Sequence, residues 1–213
     1  MSSRHAFADS FPHLSERCYA SAARLYKLHK ESFTPAMSVE QTLLLMISKT
    51  MEMARLISLC VRGSIPECAV TFDVLAQEIH QQEKRVTETL LQSDLSKDLL
   101  SRMVQFPVAI ERIGDFLESV LKCFRIRDEA GFRFSDGASA ELDEVFARLL
   151  DLTNDFRDVL ITPDEVLLEH LVMQGQALRG IIRNCRAAHW KRMEQGYCRP
   201  SASSAYLDIL DSV

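Results

Sequence analysis

Apolar residues recur at intervals of three and four along most of this 213-residue chain, which is the spacing of one buried face on an amphipathic helix. Capping residues, glycines and prolines interrupt the pattern and mark where helices begin and end. The predicted helices cover about residues 10–31, 38–62, 64–91, 96–127, 139–160, 162–195 and 204–213. Only seven glycines and six prolines interrupt them, so the sequence predicts an all-α fold of six or seven helices.

Two breaks shape this helical plan. Pro107 lies inside the fourth predicted helix, where it removes a backbone hydrogen bond, and it predicts a kink near Gln105. The clearest loop covers residues 131–137 and contains two glycines and two phenylalanines, Phe132 and Phe134, which either fold back onto the helices or form a contact surface. This loop divides the chain into two portions with helices in the same order.

Composition narrows the class of protein. A hydrophobic content of 47% supports a sizeable core, and no apolar run approaches the roughly 18 to 20 residues of a membrane span. Residues 1–10 lack the apolar centre of a signal peptide, so we expect a cytoplasmic protein. The net charge of -5 argues against nucleic-acid binding. The six cysteines form no CxxC pair, which favours reduced, half-buried thiols.

The residues with the clearest chemical interest are Glu111 and Asp115, in the sequence Glu-Arg-Ile-Gly-Asp. Four residues apart on a helix, their carboxylates share one face and repel each other by a few tenths of a kcal/mol. Such a pair is either a solvated helix face, with Arg112 and Lys122 as ordinary charge partners, or a site for a cation. The spacing alone leaves both interpretations open.

Helix order and this motif together resemble the PhoU family of phosphate-uptake regulators, whose two three-helix repeats each carry an ERIGD-like motif on the third helix. The sequence is most similar to the PhoU-like cytosolic domains of sodium/phosphate cotransporters. Residues 38–130 match a first repeat, residues 138–213 match a second, incomplete repeat, and residues 1–37 form an N-terminal extension. Residues 206–213 are similar to the lead-in to a second motif, which we expect this chain to lack.

The resemblance implies a pair of antiparallel helical bundles that bind metal through acidic residues. Its motif matches Glu111 and Asp115, while Glu83 occupies the place where the preceding helix supplies an acid, and His80 departs from the usual polar residue. Oxygen ligands favour Mg, Mn, Ca or Fe, and a histidine ligand shifts the preference toward Fe, Zn or Ni. The expected cofactor is therefore a divalent or trivalent metal ion.

The spacing of these residues agrees with that placement. His80, Glu83 and Thr87 lie three and four residues apart, along the border of an apolar stripe on the third predicted helix. Carboxylates that border a core face can hold a cation between antiparallel helices. Taken alone, His80 is more often a hydrogen-bonded border histidine than a ligand. It becomes a candidate because Glu83 shares its face.

The second half offers other candidate sites. Cys185 and His189 are one turn apart with Cys198 further on, a spacing that suits zinc, although no fourth ligand is evident. A basic stripe on the predicted helix 162–195 is either a solvated face or a surface for an acidic partner. The predicted partner-binding residues are that stripe and apolar residues of the last helix: Arg179, Arg183, Arg186, Tyr206, Leu207 and Leu210.

Two functions follow from these features. The resemblance implies a non-enzymatic regulator of phosphate uptake that contacts a phosphate transporter or its sensor kinase, is held at the inner membrane through that partner, and forms a homo-oligomer. The alternative is a helical-bundle metalloenzyme, because carboxylates and a histidine can also hold a redox or hydrolytic metal. A di-iron enzyme requires Glu-x-x-His pairs at core-facing positions, and none occurs. The sequence therefore favours the regulator.

Overall fold

The computed structural model describes residues 38–63, 68–162 and 164–213. Within these ranges the chain forms seven helices and no strand, which confirms the all-α prediction. The helices are α1 (Val39–Cys60), α2 (Cys68–Leu91), α3 (Lys97–Met103), α4 (Gln105–Glu129), α5 (Asp136–Ile161), α6 (Glu165–Glu194) and α7 (Pro200–Ser212). The helix predicted over 10–31 and the first four residues, 64–67, of the helix predicted over 64–91 lie outside the described residues.

The helix is interrupted near Gln105, the place where Pro107 predicts a kink. α3 ends at Met103 and α4 begins at Gln105, with Val104 between them. Pro107 has no N–H to donate to the carbonyl of Met103, and its ring crowds that carbonyl, so a continuous helix is disfavoured here. The interruption places Pro107 in the first turn of α4, where a missing N–H costs nothing.

Three predicted helix starts in the second half are wrong by three or four residues. α5 begins at Asp136 rather than near 139, because the Ser135 hydroxyl accepts a hydrogen bond from the Ala138 N–H and caps the helix. α7 begins at Pro200 rather than near 204, with proline in its first turn. α6 begins at Glu165 rather than near 162, because the Asp164 carboxylate accepts from two N–H groups of the first turn and caps the helix.

The core is centred on α1, which packs against α2, α4 and α5. Met46, Ile47, Met53 and Ile57 of α1 are completely buried. α4 is the second central element, since it packs against α1, α2 and α7. One face of α4 therefore packs against α2, and a different face lies toward the helices of the second half.

The loop between α4 and α5 folds back onto the core. Phe132 and Phe134 are buried, and Phe134 packs edge to face with Phe124 and Tyr206. Of the two alternatives that the sequence left open for these phenylalanines, the structure selects core packing.

A buried arginine joins the end of α4 to the end of α1. Arg127 is fully buried and donates hydrogen bonds to the carbonyls of Cys60 at 2.6 Å, Val61 at 3.1 Å and Gly63 at 2.7 Å. Its charge is balanced by Asp128 at 2.7 Å. Carbonyls at a helix C-terminus have no partner within the helix, so this guanidinium supplies the donors that they need.

Candidate metal centre

His80 of α2 faces a column of carboxylates on α4. Its Nδ1 lies 3.0 Å from Glu111 Oε1, and its Nε2 lies 3.5 Å from Glu118 Oε1 and 3.8 Å from Asp115 Oδ1. The acids occupy positions i, i+4 and i+7, which fall on one face of a helix. The contact between α2 and α4 therefore brings one imidazole to a strip of three carboxylates.

The geometry is close to that of a cation site. One ligand atom from each of His80, Glu111 and Asp115 lies within 4.8 Å of the others, and this is the one such group of three among the described residues. Ligand atoms around a metal at bonds of about 2.1 Å are about 3 Å apart, so the three groups need to close by no more than about 2 Å. A change of side-chain rotamers covers that distance. The set of one imidazole nitrogen and carboxylate oxygens suits Mn, Fe, Zn or Ni.

The site is open to solvent. The side chains of His80 and Asp115 are 45% and 49% exposed, whereas that of Glu111 is 23% exposed. Open sites of this kind leave coordination positions for water or for a ligand from another molecule. An excess of carboxylates over positive charge is also expected to attract a cation.

Glu83 is placed differently from the other three predicted ligands. Its Oε1 accepts a hydrogen bond of 2.9 Å from the Thr87 hydroxyl, one turn along α2, and it is not in the group around His80. Glu118, which sequence analysis missed, lies beside His80 instead. The spacing of seven residues from Glu111 to Glu118 is the signal that could have identified it.

A second polar cluster, which the sequence did not predict, connects α5, α6 and α7 through hydrogen bonds. Arg192 donates two hydrogen bonds to the Glu141 carboxylate, at 2.7 and 2.6 Å, and the Tyr206 hydroxyl donates to the same carboxylate. Burial raises the pKa of Glu141, but the hydrogen bonds from Arg192 and Tyr206 and the charge of Arg192 outweigh it and hold this pKa below its usual value. Tyr206, by contrast, has a raised pKa because of its burial and its bond to Glu141.

This cluster corrects part of the predicted partner surface. Tyr206 and Leu210 are each only 1% exposed, and Leu207 is partly exposed. The buried face of α7 also includes Ala205 and Ile209, so the helix packs its apolar side into its own chain. Tyr206 and Leu210 are therefore core residues and do not present a surface to a partner.

His189 completes the buried cluster. It is 2% exposed and stacks on Tyr206 at 4.7 Å between ring centroids, and neither ring nitrogen has a hydrogen-bond partner among the described residues. Burial lowers the pKa of His189, and the charge of Arg192 lowers it further, against an opposing effect of Glu141. Burial also raises the pKa of the neighbouring Cys185 thiol. Cys185 and His189 belong to no group of three metal-ligating residues among the described side chains.

We expect acid to destabilise the fold through His189. Its pKa in the folded protein is lowered from 6.5, so the unfolded chain binds the proton more readily and stability falls as pH drops below about 6.5. His189→Phe removes the titrating group while keeping a ring against Tyr206. The test is urea denaturation from pH 7.5 to 5 of the wild type, His189→Phe and the control His170→Gln, whose histidine side chain is 52% exposed. A wild-type slope that persists in His189→Phe contradicts this assignment.

The basic stripe is divided between a structural contact and exposed charge. Arg186 donates to the carbonyl of Leu210 at 3.4 Å and to the carboxylate of Asp211, so it holds the end of α7. Arg179 and Arg183 are exposed. The predicted docking role therefore rests on these two side chains.

No protein-family model, curated protein or solved structure matches this chain. No helix in the described part of the chain combines the length and the apolar character that crossing a membrane requires.

Proposed function

We propose that this protein is a PhoU-like regulator of phosphate uptake that binds a metal ion at His80, Glu111 and Asp115 and acts by contacting a phosphate transporter or its sensor kinase in the cytoplasm. The observation that carries the proposal is the convergence of His80 on Glu111 and Asp115 across two helices. The acids belong to the ERIGD motif on which the resemblance rests. An all-helical fold is compatible with that family.

The exposure of the site suits regulation by contact. His80, Glu111 and Asp115 would hold the ion, with Glu118 next to them. A bound metal supplies positive charge and coordination positions on the solvent side, which a carboxylate or phosphate oxygen of a partner can occupy. The exposed Arg179 and Arg183 provide a separate basic surface for an acidic segment of the transporter.

Metal binding is tested directly on the purified protein. We expect Glu111→Gln combined with Asp115→Asn to weaken binding of Mn²⁺ and Zn²⁺ by at least about tenfold in calorimetric titration, because two anionic ligands are lost. Helicity should change little, since the site is partly exposed.

A matched control is available on α5. Asp151 and Asp155 are also one turn apart, and Asp155 lies 3.5 Å from His170 of α6. Asp151→Asn combined with Asp155→Asn therefore removes as much negative charge as the Glu111/Asp115 variant does, and it also removes a carboxylate beside a histidine. It should leave metal affinity unchanged. Equal metal affinity in the Glu111/Asp115 variant and the wild type would exclude this centre.

The regulatory contact requires a second experiment. Pull-down of the phosphate transporter or its sensor kinase by the wild-type protein should depend on added Mn²⁺ or Zn²⁺ and should be lost in the Glu111/Asp115 variant. In a separate variant, reversing the charge of Arg179 and Arg183 should also weaken capture of the partner. Metal binding without capture of either partner would retain the site but refute the role.

A further inference from the structure

An apolar groove of about 360 Å³ opens beside the end of α7, on the side of α4 away from His80. It is lined by α4 through Ile113 and Phe116, by α5 through Leu152 and Phe156, and by α6 through Leu171 and Leu178. Its surface is almost wholly apolar. Such a surface favours a ligand that buries hydrocarbon rather than one recognised by hydrogen bonds.

α7 occupies the neighbouring part of the same interhelical space. Tyr206 stacks on His189 and, further along α7, Asp211 accepts from Arg186, so α7 runs antiparallel to α6. Ser212 and Val213 reach the edge of the open groove. The groove therefore continues in line with α7, beside the preceding turns of α6.

The contact that α7 makes shows what kind of element fits this space. α7 is an amphipathic helix that buries Ala205, Tyr206, Ile209 and Leu210 between α4 and α6. The open part extends alongside α6 from Leu178 to Leu171, which is about 10 Å at the rise of an α-helix. A further two turns of helix, with apolar residues spaced by three and four, match that length.

The charges at the rim indicate the polar side of the occupant. Arg186 holds α7 through Asp211, and Arg179 lies seven residues earlier on the same side of α6, about 10 Å further along the groove. Arg112 of α4 is one turn from Phe116, which lines the groove. Arg179 and Arg112 are both exposed. Acidic side chains on a docked helix would pair with Arg179 and Arg112 as Asp211 pairs with Arg186.

We propose that this groove binds an acidic amphipathic helix of a partner protein, which lies alongside α6 with its apolar residues against α4, α5 and α6 and its carboxylates beside Arg179 and Arg112. The groove and the candidate metal centre use opposite faces of α4. Metal binding and helix binding therefore fail separately, although Arg179 is shared with the basic surface of the proposed function.

Gly175 gives a specific way to block the groove. It lines the groove, and a Cβ added there meets no atom of the described residues within 4 Å, so a larger side chain extends into the groove. Gly180 lies on the opposite side of α6, where an added Cβ approaches only the Arg183 side chain at 3.9 Å. Gly175→Leu and Gly180→Leu thus make the same chemical change inside and outside the groove.

The probe is a fluorescein-labelled 18-residue peptide with leucines spaced by three and four and glutamates along one flank, and its control carries lysine for each glutamate. We expect fluorescence anisotropy to show binding of the acidic peptide, with affinity reduced at least about tenfold by Gly175→Leu and about threefold to tenfold by Arg179→Glu. Gly180→Leu and Lys84→Glu, a charge reversal on α2, should leave it unchanged. Circular dichroism of each variant confirms that it is folded.

Several results would overturn the proposal. They are an absence of peptide binding, equal binding to Gly175→Leu and wild type, and equal binding of the acidic and lysine peptides. Sedimentation that shows a dimer of this chain, dissociated by Gly175→Leu, would assign the groove to a second copy instead.

Discussion

Arg127→Met is expected to lower the free energy of unfolding by about 3 to 4 kcal/mol. Three main-chain carbonyls at the end of α1 lose their bonds from this guanidinium, which is fully buried. Asp128 also loses the nearer of two arginines, whose guanidinium lies 2.7 Å from its carboxylate. Methionine fills a similar volume against Phe124, whose ring centroid lies 4.9 Å from the guanidinium, so the loss reports polar bonds rather than a cavity.

The control for this measurement is Arg133→Met. Arg133 reaches the same Gly63 carbonyl at 3.4 Å and lies 3.8 Å from Asp128, but its side chain is 65% exposed. Its replacement should cost less than about 0.5 kcal/mol, as for most surface substitutions. Both variants are compared with the wild type by urea denaturation. Similar losses in the two would show that burial of Arg127 adds little to the stability of the junction.

Glu141→Gln is expected to cost about 2 to 3 kcal/mol, chiefly because the charge of Arg192 is left without its carboxylate in a largely buried position. The side chains of Arg192 and Glu141 are only 18% and 21% exposed. Glutamine keeps the size of the side chain, and its amide oxygen can still accept a hydrogen bond. Its amide nitrogen, however, cannot accept the second hydrogen bond that the carboxylate accepts from Arg192.

Asp143→Asn is the matched control on the same helix. Asp143 pairs with Arg62 at 2.7 Å, yet the two side chains are 40% and 57% exposed, so solvent screens this ion pair. Its loss should cost under about 1 kcal/mol. Thermal unfolding followed by circular dichroism distinguishes the two. If Glu141→Gln and Asp143→Asn melted at the same temperature, the hydrogen bonds of Glu141 would contribute no more to stability than an exposed ion pair.

Helix positions were largely predictable because their signals are local. Capping residues, a proline such as Pro107 and an apolar repeat act on backbone groups within a turn or two, and most of the described helices follow them. The errors at the starts of α5, α6 and α7 also have local causes. Ser135 caps α5 inside a segment that resembles a loop because it contains two glycines. Pro200 begins α7 inside a short segment that resembles a linker.

The candidate metal centre was partly predictable. The spacing of Glu111 and Asp115 places both on one face of a helix whatever the tertiary fold. Which residue of α2 faces them depends on the rotation and offset of two packed helices, and a shift of one turn exchanges His80 for a neighbour. The sequence favoured Glu83, whereas in the structure Glu83 bonds to Thr87 and His80 lies beside Glu118.

By itself, the sequence determined that the chain is helical, where most helices begin and end, and that Glu111 and Asp115 share a face, because each depends on contacts within a few residues. Only the tertiary structure decided that Tyr206 and Leu210 are core residues, that Arg192 and Glu141 pair across two helices, and that a groove remains open beyond α7. These outcomes depend on which helix faces pack together. That choice is made by residues far apart in the chain, so no local pattern encodes it.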